Sequence, residues 1–283
     1  MERIAIIGTG LIGASVGLAL RAAGYEGRIV GWDASPAELS AALLLGAVDE
    51  VAASPNAALE MAAAADVVVL AVPVLAIKDW MGKLAPVCRV GQLITDVGST
   101  KLEIAELAER LFDGEGARFL PGHPMAGKES GGAALAEAKI FDGAMWLFTP
   151  LAEDAALETE WRGWVAKFGC RMLDMDAERH DELCAWVSHL PQMLSTALAA
   201  LLEDEFGDDA DIAAIGGRAL RETTRLGASP YSMWRDVAMT NTKQVADTLL
   251  ALEQRLAHIR ENLRTPELRD EFALANKFRK RRG

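Results

Sequence analysis

His123 is one of four histidines in a chain of 283 residues, and it sits in the run Gly122-His123-Pro124-Met125-Ala126-Gly127-Lys128-Glu129-Ser130. Pro124 fixes its own φ and pushes His123 towards extended backbone. The flanking glycines permit turns and close approach of backbone to a ligand. An imidazole titrates near ~6.5, so one presented at a strand end can take a proton at neutral pH. The same run also reads as a plain loop after a strand at 117–120.

A second cluster suits phosphates. Gly8-Thr9-Gly10-Leu11-Ile12-Gly13 follows an apolar strand and opens a helix of small residues. In that context Gly8 permits the tight turn, Gly10 lets backbone approach a pyrophosphate, and Gly13 packs helix on strand. The first helical N–H groups, at Leu11 and Ile12, face the phosphates with a partial positive charge. Asp33 lies twenty residues beyond Gly13, at the end of the next strand. That spacing suits an acid bonding a ribose 2′-hydroxyl, and no Arg or Lys directly follows to accept a 2′-phosphate. The cofactor is therefore expected to be NAD rather than NADP.

Further candidates stand at strand ends that should face the same crevice. Val72-Pro73 closes one buried strand. Asp96 ends another and leads into Val97-Gly98-Ser99-Thr100-Lys101, where Ser99 or Thr100 also reads as a helix N-cap. On a helical wheel, His189, Gln192 and Thr196 share a face offset from an apolar stripe of Trp186, Val187, Leu190, Leu194 and Leu201. Arg218, Arg221 and Arg225 form a basic stripe beside Glu222; such a stripe either pairs with nearby acids or grips a carboxylate. His180 and His258 have no such setting and read as surface residues.

These groups need a scaffold, and the pattern supplies one. Strands and helices alternate up to about residue 174, after which only helical patterns occur. This predicts an α/β Rossmann-type dinucleotide-binding domain over 1–174 and an all-α domain over 175–283. A helix at 177–205 should kink at Pro191, a helix is expected over 210–226, and another should run from Ser229-Pro230 to about 263. Extended apolar helix faces there predict a homodimer.

Composition narrows the partners. A formal net charge of −12 argues against nucleic acid, and the basic residues 277–282 read as a solvated tail. Three cysteines in no metal-type spacing fit reduced thiols in a cytoplasm and imply no metal site. No leader is visible, and no apolar run is long enough to span a bilayer.

Taken together, the chain resembles the prephenate/arogenate dehydrogenase family over nearly its whole length. The resemblance rests on the glycine fingerprint with Asp33, on Asp96-Val97-Gly98-Ser99-Thr100-Lys101, on Gly122-His123-Pro124-Met125-Ala126-Gly127, on Ser188-His189-Leu190-Pro191, and on Thr224-Arg225-Leu226 leading to Pro230, Met233 and Trp234. It implies NAD-dependent oxidative decarboxylation of a cyclohexadiene dicarboxylate in tyrosine biosynthesis. His123 would take the proton of the ring hydroxyl, and Ser99 would bond that hydroxyl and help hold His123. Arg225 would bind the ring carboxylate. His189, Gln192, Trp234, Lys128, Glu129 and Glu222 would line or flank the substrate. Gln192 stands where many members carry a second histidine, which leans towards arogenate, since a neutral amide accepts from an ammonium. The chain's length suggests no appended regulatory domain, so any feedback by tyrosine is expected at the active site. Two other readings stay open: a 3-hydroxyacid-type dehydrogenase, although no Lys and Asn pair stands on the helix from residue 177, and a non-catalytic NAD-binding dimer.

Overall fold

The computed structural model describes residues 1–112, 116–128, 130–153 and 155–281. The first half alternates as the sequence suggests: β1 Arg3–Ile7, α1 Leu11–Ala22, β2 Arg28–Trp32, α2 Pro36–Leu44, β3 Glu50–Val51, α3 Pro55–Ala63, β4 Val67–Leu70, α4 Val74–Leu84, β5 Leu93–Asp96, α5 Leu102–Leu111 and β6 Arg118–Leu120. All six strands are parallel, in the order β3-β2-β1-β4-β5-β6. Chain direction across the sheet reverses between β1 and β4, which opens a crevice at their carboxyl ends. Alternate residues of β1 and β4 feed two cores. Ile4, Ile6, Val67 and Val69 pack on the α1 side, while Ala5, Ile7, Val68 and Leu70 pack against α3, α4 and α5.

A second, three-stranded sheet carries the histidine run. It comprises β7 Gly122–Pro124, β8 Met145–Phe148 and β9 Arg171–Asp174, with α6 Ala156–Lys167 between the last two. β7 runs antiparallel to β8, with His123 opposite Leu147, and β8 runs parallel to β9. His123 is thus at the centre of a strand rather than in a loop. The extended bias before Pro124 and the pairing with β8 account for the difference. Between β7 and β8 the chain makes two 3-10 turns, Ala133–Leu135 and Ala138–Phe141, packed on α1.

From Ala177 on, every element is helical: α7 Ala177–Cys184, α8 Leu190–Phe206, α9 Ala210–Ile215, α10 Arg218–Thr224, α11 Tyr231–Thr240, α12 Thr242–Glu261 and α13 Pro266–Lys280. The expected long helices are broken. A π-helical segment, Ala185–His189, separates α7 from α8 just before Pro191. Gly216-Gly217 separates α9 from α10, and Asn241 ends α11. Of the basic tail, residues 277–280 form the exposed last turn of α13.

The helical half docks on the first half by capping its helices. Asp236 accepts from the backbone N–H of Leu75, at the start of α4 (3.2 Å). Asp181 accepts from Lys101 (2.7 Å) and Leu102 (3.0 Å), at the start of α5. Neither helix supplies its own side-chain cap, because Pro73 and Lys101 occupy those positions. Carboxylates from the other half satisfy their free N–H groups and favour the positive helix ends. Thr100, read as a cap from sequence, bonds Thr240 instead (2.7 Å).

Candidate active site

The crevice deepens into a cavity of about 580 Å³ between the two halves, a size suited to small ligands. The α/β half contributes Leu11, Ile12, Val72, Pro73, Ser99, His123 and Lys128, and the helical half contributes Val187, Ser188, Met233 and Trp234.

The glycine turn has the form a pyrophosphate needs. Gly8 has φ +96°, and a Cβ there would stand 2.4 Å from the Ala71 carbonyl oxygen; at Gly13 it would stand 1.8 Å from that of Gly8. Both glycines are required by the protein's own packing. Gly10 differs, because a Cβ there would meet no atom within 4 Å, so the open room beside it lies where a ligand would approach. Asp33 accepts from the backbone N–H of Thr9 (2.8 Å) and of Ser35 (2.9 Å), which holds its carboxylate at the end of β2. These residues fit a dinucleotide.

Asp96 has a different place from the one expected. It is fully buried, absent from the cavity lining, and bonded to the Lys101 ammonium, the Gly98 N–H (2.7 Å) and the Gly122 N–H (3.1 Å). It is a strut joining the Ser99 turn to the His123 strand.

His123 lines the cavity at 8 % exposure. Its Nδ1 lies 2.9 Å from Nε2 of His180. His180 is fully buried, which corrects the surface assignment, and its Nδ1 bonds Asp181 (2.8 Å). Its polar ring is tolerated inside because both nitrogens are satisfied. Ser99 shares the cavity with His123, but it is His180 that holds the ring. Burial above all, with the neighbouring His180, Lys101 and His189 adding to it, keeps the His123 imidazole well below the usual titration range. At neutral pH it is an uncharged acceptor.

The remaining candidates divide. Trp234 lines the cavity and meets His189 edge-on, with ring centroids 5.9 Å apart. His189 is buried behind it and accepts at Nδ1 from the Asn241 amide (3.3 Å), while its Nε2 has no partner among the described residues. Lys128 lines the cavity rim, where its ammonium meets the Leu135 carbonyl (2.8 Å) and Glu137 (2.8 Å). Gln192 is buried outside the cavity lining, donating to the Leu226 carbonyl (2.7 Å) and to Thr196 (3.0 Å). The lean towards arogenate therefore loses its physical basis. Glu222 pairs with Arg218 on an exposed face (2.6 Å), and Arg225 lies on the exposed turn after α10; neither lines the cavity. Glu129 lies outside the described residues. The apolar stripe with Trp186, Val187, Leu194 and Leu201 is largely exposed, whereas His189, Gln192 and Ser195 face inward.

Sequence reasoning missed His180, Asp181 and Ser188. The first two lie in the charged run Glu178-Arg179-His180-Asp181-Glu182, which carries no hydropathy signal of burial. Ser188 was within reach, as the neighbour of His189.

Known proteins resemble this chain over most of its length. Residues 16–169 match the nucleotide-binding domain of prephenate dehydrogenase, and residues 176–278 match its dimerization domain. A prephenate dehydrogenase of Lactococcus lactis is 33 % identical over 279 residues, covering 98 % of this chain and 75 % of that protein. Prephenate dehydrogenase from Aquifex aeolicus, crystallised with hydroxyphenyl propionate and NAD+, superposes with a TM-score of 0.86 at 28 % identity, covering 100 % of this chain and 97 % of that one. Arogenate dehydrogenase from Synechocystis superposes with a TM-score of 0.78 at 28 % identity, covering 99 % and 100 %.

Proposed function

Because the chain belongs to the prephenate dehydrogenase family, we propose that its cavity takes a cyclohexadiene bearing a ring carboxylate and a ring hydroxyl, with His123 as the proton acceptor. The family's reaction is NAD-dependent oxidative decarboxylation in tyrosine biosynthesis, and it is the reaction of this enzyme. The observation that carries the site reading is the sharing of one cavity by His123 and Ser99 with the fingerprint residues Leu11 and Ile12.

NAD, when bound, supplies the hydride acceptor. Gly8, Gly10, Gly13, Leu11 and Ile12 would hold its phosphates, Asp33 its ribose, and Val72 and Pro73 would flank it. The protein's own part is positional. As the ring hydroxyl becomes a carbonyl it must lose a proton, and a neutral His123 can take it. Ser99, on the same wall, orients that hydroxyl. Trp234 shapes the pocket, and His189, buried behind it, holds that indole in place. Loss of the ring carboxylate as CO2 gives an aromatic ring, which drives the step forward.

We assign Arg225 to the carboxylate on the family resemblance alone. The exposed apolar residues Leu201 (56 %), Leu256 (51 %) and Phe272 (65 %) support a homodimer through the helical half, to be checked by sedimentation. Three unpaired cysteines support a cytoplasmic location. No described helix is long and apolar enough to cross a membrane.

The test is NADH formation from prephenate and from arogenate, each with NAD and with NADP. Turnover of at least one substrate with NAD is expected, and none with either overturns the reading. His123→Asn should lower kcat by about 10²–10⁴-fold with KM within about threefold; a near-normal kcat removes His123 from the role.

A further inference from the structure

We infer that His180 and Asp181 are positioning residues that dictate which ring nitrogen of His123 carries its proton. Asp181, as a carboxylate, can only accept hydrogen bonds. It takes the Lys101 and Leu102 N–H groups and also Nδ1 of His180. The Nδ1 of neutral His180 must then bear the proton, and its Nε2 is an acceptor. That acceptor faces Nδ1 of His123 at 2.9 Å, so the proton of His123 is on Nδ1. The lone pair is left on Nε2, which has no partner among the described residues, on a ring that lines the cavity. One carboxylate thus sets the polarity of two imidazoles and leaves the base ready for the substrate hydroxyl.

The surroundings agree with this polarity. Cys184 Sγ lies 3.6 Å from the same Nε2 of His180, and burial pushes its thiol up to about 12. A neutral S–H can donate there, which again keeps that nitrogen unprotonated. The charges beside the chain are the Lys101 ammonium and the Asp96 carboxylate, paired with each other, while the nearby His189 is held neutral by burial. When His123 takes the substrate proton at Nε2, its Nδ1 proton can pass to Nε2 of His180. The positive charge then rests beside Asp181, and no proton is lost or gained.

The inference deepens the dehydrogenase reading and rests on it for its kinetic arm only. With four histidines in the chain, nitrogen-15 NMR of histidine-labelled protein can assign each tautomer. Wild-type His123 should show protonated Nδ1 and bare Nε2. In Asp181→Asn the amide can donate, which reverses the chain, and His123 should show protonated Nε2. In the same variant kcat should fall about 100-fold or more, as expected for a base held in the wrong tautomer, with KM and NAD affinity within about threefold of wild type. Wild-type His123 protonated at Nε2, or an Asp181→Asn kcat within about threefold of wild type, overturns the inference. Should that variant fail to bind NAD through misfolding, His180→Phe keeps the cap of α5 and frees the His123 tautomer. It should lower kcat at least about tenfold and show mixed His123 tautomers, and an unchanged kcat overturns the inference. If neither substrate is turned over by the wild type, the functional reading fails while the tautomer result still decides the hydrogen-bond polarity.

Discussion

Replacing Lys101 by Met tests the strut on which the placement of Ser99 and His123 depends. Lys101 and Asp96 are both fully buried and paired. The change removes the ammonium, keeps most of the side chain's apolar bulk, and leaves a carboxylate inside without its counter-charge. Removing one partner of a buried ion pair costs about 3–5 kcal/mol. Asp96 keeps two backbone donors, Gly98 and Gly122, which places the loss at the lower end, about 3 kcal/mol. For a unit the size of the α/β half that is a fall in Tm of about 6–12 °C, read by calorimetry. Activity should fall as well, because Asp96 ties the turn of Ser99 to the strand of His123. The double variant Asp96→Asn/Lys101→Met removes both charges and keeps an acceptor for one backbone N–H, so it should regain at least about half of the lost stability. A fall in Tm below about 2 °C for Lys101→Met, or a double variant no more stable than the single, would refute the electrostatic argument.

The glycine turn predicts a contrast. Gly13→Ala puts a Cβ against the Gly8 carbonyl and should cost about 1–3 kcal/mol, whereas Gly10→Ala should leave Tm unchanged and weaken NAD about tenfold, about 1.4 kcal/mol; calorimetry and NAD titration check both, and the opposite pattern rejects the assignment. Burial lowers His189 from 6.5 to about 4; the unfolded chain takes up that proton first as pH falls, so its contribution is intact above about pH 6.5 and lost on acidification towards 4. By pH 5 the loss is on the order of 2 kcal/mol, and His189→Gln should show a smaller drop in Tm between pH 7.5 and 5 than wild type; equal drops reject the linkage. Arg225→Gln should raise KM for the substrate about tenfold or more with little change in kcat, as for a residue that only binds; an unchanged KM removes Arg225 from the site.

What could be read in the chain was what depends on neighbours along it. The strand before Gly8, the glycine spacing and the acid twenty residues on are local, and each carries its own geometric demand. The alternation of strand and helix up to residue 174 is a hydropathy pattern of the same kind. The pairing of β7 with β8 was missed because a three-residue strand has too few positions to show a period. The π segment before Pro191 was missed because a single widened turn leaves no mark in the hydropathy pattern.

His180 shows the deeper reason. Fifty-seven residues separate it from His123, and its own surroundings in sequence are acids and bases that favour water. It is buried because its two nitrogens find partners, and its acidic neighbour is buried because α5 begins without a capping side chain. The missing cap at Pro73 before α4 is visible in the sequence, whereas before α5 Ser99 and Thr100 read as caps and the structure sets Lys101 there instead. A helix that opens without its own acceptor needs one from elsewhere, and here each acceptor is an aspartate of the other half. These two caps join the halves together with the Thr100–Thr240 bond, and one of them anchors the imidazole pair. A substitution at Asp236 would loosen the joint beside α4 and leave the imidazole pair intact, whereas one at Asp181 would loosen the joint and reverse the polarity of the pair together. Stability lost without the tautomer change at Asp236, and both lost at Asp181, is the pattern that a shared anchor requires.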